Sequence, residues 1–169
     1  ITEGAQGAID LLLGADLREK KVLVEDPTYN IVLSYLRIKN IPHETVMRTK
    51  DGLDLIRLEE QAKTGEFQFF YTISRNHNPL GTDLKEKEMK KVLELARKYD
   101  FYIIEDDYLS ELSKGSTFFS LGKDRTVYVR SYSKTISPSL RIASVIAPME
   151  LAKKLSYNIT YLNGGAPLF

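Results

Sequence analysis

Cysteine is absent from this 169-residue sequence, which rules out a disulfide framework, thiolate chemistry and cysteine-ligated metals. Histidine is scarce. His43 and His77 stand at no paired ligand spacing, so a zinc site finds too few donors and both read as structural. No apolar run approaches the roughly 20 residues of a membrane-spanning helix, and no charged-then-apolar signal segment opens the sequence. Net charge is nearly lacking too. The 24 basic and 23 acidic side chains leave +1, so no global field favours nucleic acid or an anionic membrane. Neither a Walker sequence nor GxGxxG occurs. There is no internal repeat or low-complexity segment, and glycines and prolines fall between elements rather than in a linker. The chain starts at Ile1 and ends on "LNGGAPLF", which closes no element. It therefore reads as a piece of a longer, intracellular, cytoplasmic protein.

What is present is ordinary globular material, 43% apolar and 28% charged, with enough chain for one sizeable core. Two periods alternate along it. Ala5, Ala8, Ile9 and Leu12 follow helical spacing, and the apolar run 21–24 follows. Ile31, Val32, Tyr35 and Leu36 mark a second helix, with a short strand at 43–47. Leu55, Leu58 and Ala62 mark a third, before a strand at 67–73. The clearest helix presents Met89, Val92, Leu93 and Ala96 on one face. Its solvated face offers Glu86→Lys90 and Glu94→Lys98 pairs at i,i+4. Strands at 101–105, 126–130 and 142–147 come next, and a last helix starts near Glu150. Strands that alternate with helices and are continuously apolar predict an α/β three-layer sandwich around a mostly parallel central sheet. The prediction treats residues 1–169 as one domain.

In such sheets, ligands bind outside the carboxyl ends of the strands. Those ends are followed here by Glu25-Asp26-Pro27-Thr28-Tyr29, by "SRNHNPLG" (74–81), by Asp106-Asp107-Tyr108, and by "RSYSKTIS" (130–137). Each has a bland alternative. The aspartate pair could cap a helix or start a turn, Asn78-Pro79 with Gly81 could be only a turn, Tyr29 a core-edge aromatic, and Lys134 a solvated lysine. One rim that carries all of them is harder to dismiss.

A reactive lysine must spend time as a neutral amine, which nearby positive charge or desolvation favours. Arg141 is a candidate for that charge and can also fork onto a phosphate. Ser131 and Ser133 add hydroxyl donors, and the turn "EGAQG" (3–7) adds backbone N–H groups at a helix N-terminus. An aspartate facing a pyridine nitrogen keeps it protonated. A phenol and an asparagine amide can bond a ring hydroxyl, and a tyrosine face can stack. These are the requirements for holding pyridoxal phosphate as a lysine Schiff base.

The blocks "ITEGAQGAIDLL", "VEDPTY", "HNPLG", "IIEDDYLSEL" and "RSYSKTISPSLRIA" together resemble the class I/II pyridoxal-phosphate-dependent aminotransferase family (fold type I), across nearly the whole chain. The resemblance implies Lys134 as the Schiff-base lysine and proton shuttle, and Asp106 as partner of the pyridine nitrogen. It implies Asn78 and Tyr108 at the ring hydroxyl, and Tyr29 on the ring face. The phosphate would fall to Ser131, Ser133, Arg141 and the Gly4-Ala5-Gln6 turn. It also implies that this is a partial large domain, lacking the small C-terminal domain and the N-terminal region, from a protein that works as a homodimer. Within the family, "EDDYLSEL" and "RNHNPLGT" look most like the aminotransferase-like domain of MocR-type GntR regulators. There an N-terminal winged helix binds DNA, and this domain senses an amine or amino acid. Two residues depart from the family pattern: Glu3 replaces a small hydroxyl residue beside the phosphate turn, and Gly7 follows in the helix.

Two functions therefore stand side by side. One is an aminotransferase acting on an amino acid and a 2-oxo acid. The other is an effector-sensing and dimerisation domain of a transcription regulator. A phosphoacceptor receiver domain, which places its acid pair after the first strand, fits poorly.

Overall fold

The computed structural model describes residues 1–14 and 20–162, with side chains through 156. The "LNGGAPLF" stretch past position 162 lies outside the described residues. Chain order is β1 (Thr2–Glu3), α1 (Gly4–Gly14), β2 (Lys21–Asp26), α2 (Asn30–Ile38), β3 (His43–Thr49), β4 (Gly52–Leu53), α3 (Leu55–Lys63), β5 (Phe67–Thr72), α4 (Glu86–Lys98), β6 (Tyr102–Asp107), α5 (Phe118–Leu121), β7 (Thr126–Ser131), β8 (Ile142–Ile146) and α6 (Met149–Leu162). A 3-10 turn at Pro138–Leu140 precedes β8.

The strands form one sheet in the order β1-β8-β7-β6-β5-β2-β3-β4. Its centre, β7 through β3, is parallel; β2, β5, β6 and β7 are covered on both faces, which explains their continuous apolar runs, while β3 leaves alternate residues exposed. β8 turns back antiparallel on β7, β1 is antiparallel to β8, and β4 to β3. One core lies under α1, α2 and α6 and takes Val22, Val24, Phe69, Tyr71, Ile73, Ile104, Val127 and Val129 from the sheet. The second lies under α3, α4 and α5 and takes Leu23, Val46, Phe67, Phe70 and Ile103. Strand alternation deals successive side chains to the two layers, which gives the three-layer α/β sandwich. Among the described residues no helix is long and apolar enough to cross a membrane.

Three rim strands run further than hydropathy suggests. β2 reaches Asp26, β7 reaches Ser131, and β6 takes in Asp107. Asp106 and Asp107 are therefore strand residues, not a cap or turn. The ladder pairs them with Val129 and Arg130, and alternation sends them to opposite layers. On α4 the Glu86–Lys90 pair forms at 2.6 Å. Glu94 instead pairs with Lys91, and Lys98 reaches Glu59 on α3, because a neighbouring helix offers a second acceptor.

Candidate functional site

The carboxyl ends of β2, β5, β6 and β7 open onto one cavity of about 430 Å³ against the N-terminus of α1. Its lining includes Ala5 and Gln6 from α1, Tyr29 after β2, Asn78 after β5, Asp106 and Tyr108 around the end of β6, and Ser131, Ser133, Lys134 and Arg141 around β7. All the site residues expected from the sequence are here except Gly4, which lies behind Arg141. Ile9, Ile73 and Pro138 also line it. The sequence pattern missed these three because apolar residues in apolar elements carry no distinguishing signal.

Asp106 sits at the bottom of this site, buried at 3% exposure. Its Oδ2 accepts the Tyr71 hydroxyl at 2.8 Å, and its Oδ1 has no partner among the described residues. Burial pushes the carboxyl up to about 6, against the pull of the Tyr71 hydrogen bond and with the push of neighbouring Asp107. The same carboxylate raises Tyr29 and Tyr108, although burial is the larger cause for both. A lone buried acceptor oxygen in a polar cavity is a place for a donor. The N–H of a protonated pyridine is a donor of that kind.

The wall carrying Asn78 is braced from beneath. Glu25 and Arg48 are both fully buried, and Arg48 Nη1 donates to Glu25 Oε1 at 2.6 Å. The guanidinium also donates to the carbonyls of Ile73 (3.3 Å) and Thr82 (3.2 Å), the two feet of the loop. Glu25 accepts the Ile73 N–H and the Thr72 hydroxyl, and His77 Nε2 lies 3.1 Å from it. Within the loop, Asn76 takes a left-handed backbone at φ 49°. Its amide N–H donates to Asp83, its side chain to Ser113, and its carbonyl accepts the Tyr108 hydroxyl at 2.8 Å. Tyr108 is thus in the cavity wall, with its own proton engaged by the loop. On the opposite face of β6, Asp107 accepts from Arg75 and from the Tyr128 hydroxyl, and Glu105 accepts from Ser74 and from the N–H groups of Phe118 and Phe119.

At the other end, α1 begins on Gly4 with φ +68°, a left-handed conformation that glycine adopts without penalty. A Cβ there would stand 2.6 Å from Arg141 Nη2, so the guanidinium packs on bare backbone. Arg141, itself at φ 47°, donates from Nη1 to Ser133 Oγ and from Nη2 to Gln6 Oε1, each at 3.3 Å. Ser133 N–H donates to Ser131 Oγ at 3.3 Å. A helix N-terminus, a guanidinium and two hydroxyls around an open space suit an anion. Glu3 is exposed on β1, paired with Ile142, and a Cβ at Gly7 would lie 3.3 Å from the Glu3 Cβ. The two departures from the family pattern are neighbours. Lys134 is exposed and lines the same cavity.

A sequence model for "Aminotransferase class I and II" matches residues 1–161. An HTH-type transcriptional regulator, YcxD, of Bacillus subtilis (strain 168) is 35% identical over 89% of this chain and 35% of its own. The 2-aminoadipate transaminase of Thermus thermophilus is 32% identical over 92% of this chain and 41% of its own. The chain thus spans well under half the length of these relatives. Among solved structures, a Pyrococcus horikoshii kynurenine aminotransferase in complex with PMP superposes with a TM-score of 0.83, at 28% identity, over 95% of this chain and 43% of that one.

Proposed function

We propose a function for this chain from one premise: it belongs to the aminotransferase class I and II family, which is pyridoxal-phosphate-dependent. Residues 1–169 are the cofactor-holding part of an aminotransferase large domain, and they bind pyridoxal 5'-phosphate in the cavity at the carboxyl ends of β2, β5, β6 and β7. The carrying observation is Asp106, whose buried Oδ1 lacks a partner among the described residues at the floor of that cavity. It would accept the ring N–H. Tyr29 would lie against the ring face, Asn78 and Tyr108 at the ring hydroxyl. Gly4, Ala5, Gln6, Ser131, Ser133 and Arg141 would hold the phosphate. When bound, the cofactor supplies an electron-withdrawing ring that stabilises negative charge on an attached amine's α-carbon. Lys134 Nζ would be the point of covalent attachment and would carry a proton to and from that carbon. In the whole protein, a homodimer, the outcome is amino-group transfer between an amino acid and a 2-oxo acid.

A second reading is favoured by the similarity to the YcxD regulator: the same site holds an amine or amino-acid effector, and a winged helix elsewhere in the protein contacts DNA. Both readings need Lys134 to bind the cofactor. The test incubates the full chain with pyridoxal phosphate, reduces with borohydride and maps the adduct by mass spectrometry. One adduct, at Lys134, is expected, and none in Lys134→Ala. Equal labelling of the two proteins would sink the assignment.

A further inference from the structure

Tyr71 has no part in the roles above, yet it is the residue that holds the floor carboxylate. On β5 and just past its end, Phe69, Tyr71 and Ile73 share the face under α1 and α2. The parallel register sets Tyr71 beside Ile104 on β6, and Asp106 follows Ile104 by two positions on that same face. The phenol therefore reaches along the strand to Asp106, and its hydroxyl donates to Oδ2 at 2.8 Å. Tyr71 is 0% exposed, so this bond is what makes a hydroxyl tolerable at that depth. A phenylalanine would fill the space as well. The hydroxyl occupies one of the two carboxylate oxygens and leaves the other without a partner among the described residues.

We propose that Tyr71 is a positioning residue for Asp106: by donating to Oδ2 it fixes the carboxylate's rotation and favours its charged form, presenting Oδ1 to the ring nitrogen. The inference rests on the pyridoxal-phosphate reading of the cavity. Other groups around Asp106 do not substitute for this bond. Asp107 adjoins on β6 and opposes the charge, Tyr29 and Tyr108 line the walls, and Lys134 and Arg141 stand on the β7 side. Glu25, from β2, acts on Tyr71 itself, alongside burial and Asp106, to keep the phenol protonated. Burial raises the Asp106 carboxyl and the Tyr71 bond draws it back. Loss of the hydroxyl must therefore raise it further.

The experiment titrates the Asp106 carboxyl carbon by ¹³C NMR in the full chain without cofactor, wild type against Tyr71→Phe. It pairs this with pyridoxal phosphate affinity against pH. The wild-type midpoint is expected at about 6. In Tyr71→Phe it moves up by about one pH unit, the worth of a hydrogen bond to a charged group, and the acid limb of the affinity profile moves with it. A residue that merely fills the core would move neither. An unmoved or lowered midpoint in folded Tyr71→Phe overturns the proposal. Should that variant not fold, the wild-type Asp106 resonance is compared in H2O and D2O. An isotope shift from the shared hydroxyl hydrogen supports the bond, and its absence overturns it. If wild type takes up no pyridoxal phosphate, the cofactor reading fails, and the titration alone decides Tyr71's hold on Asp106.

Discussion

Replacing Arg48 with methionine removes the cation from a pair in which both side chains are essentially inaccessible, 1% and 0%. Methionine nearly matches the arginine stem in length, so the space is refilled while Glu25 is left charged without its partner. The guanidinium's bonds to the Ile73 and Thr82 carbonyls are lost together. Breaking one side of a buried ion pair typically costs about 3–5 kcal/mol. A domain of this size has roughly 5–15 kcal/mol in all, so the variant remains folded but weak. With a urea slope of about 2 kcal/mol/M, a 4 kcal/mol loss lowers the unfolding midpoint by about 2 M. The loop carrying Asn78 hangs on the same guanidinium, so pyridoxal phosphate affinity should fall as well. The double variant Glu25→Gln, Arg48→Met removes the stranded charge, and it should cost about 1–3 kcal/mol less than the sum of the single changes. A loss below about 1 kcal/mol for Arg48→Met, or strict additivity in the double variant, would refute the view that this pair holds the loop.

Asp106→Asn tests the floor carboxylate through pH. Its folded midpoint is about 6, against about 3.9 for an unfolded chain. The folded state holds that proton more tightly, so this group's contribution falls as pH rises from about 4 to about 6 and is level above. Asp106→Asn removes that fall, worth about 3 kcal/mol, from the difference between the two stability curves. Parallel curves from pH 4 to 7 would refute it. Gly4→Ala places a Cβ at φ +68° and 2.6 Å from Arg141 Nη2. The backbone alone costs about 1–2 kcal/mol, or roughly 3–6 °C in Tm, and the displaced guanidinium should abolish stabilisation by inorganic phosphate. An unchanged Tm with phosphate protection intact would show that Arg141 does not pack there.

The parallel centre of the sheet was legible because strands buried on both faces must be apolar throughout, and the helices because four amphipathic faces repeat at the helical period. Four residue blocks at the strand ends were legible as a rim, and the fold brings them to one cavity. What hydropathy did not show is where strands end when charged residues continue them. Asp106 and Asp107 look like turn formers, yet β6 keeps both because Tyr71 on β5, Arg75 in the loop after it and Tyr128 on β7 satisfy them. Tyr71 was hidden for a related reason. In "FQFFYTIS" the consecutive aromatics Phe69-Phe70-Tyr71 break any polar–apolar alternation, so it cannot say which face each residue takes. The Glu25–Arg48 pair, 23 positions apart, has no local signature at all.

The Gln6–Arg141 end of the cavity joins segments distant in the chain. Gln6 and Arg141 meet across 135 positions, and Thr2 pairs with Ala143 where the first strand docks on the last. Such contacts are the slowest to form, because almost the entire chain must be ordered before its ends can meet. On that ground the cavity should be completed late in folding. An anion held between Gln6 and Arg141 would act as a clasp on the β1–β8 edge of the sheet, so that ligand occupancy and edge fraying would become opposite sides of one equilibrium. Hydrogen exchange at Thr2 and Glu3 should then slow on ligand binding, although neither residue lines the cavity.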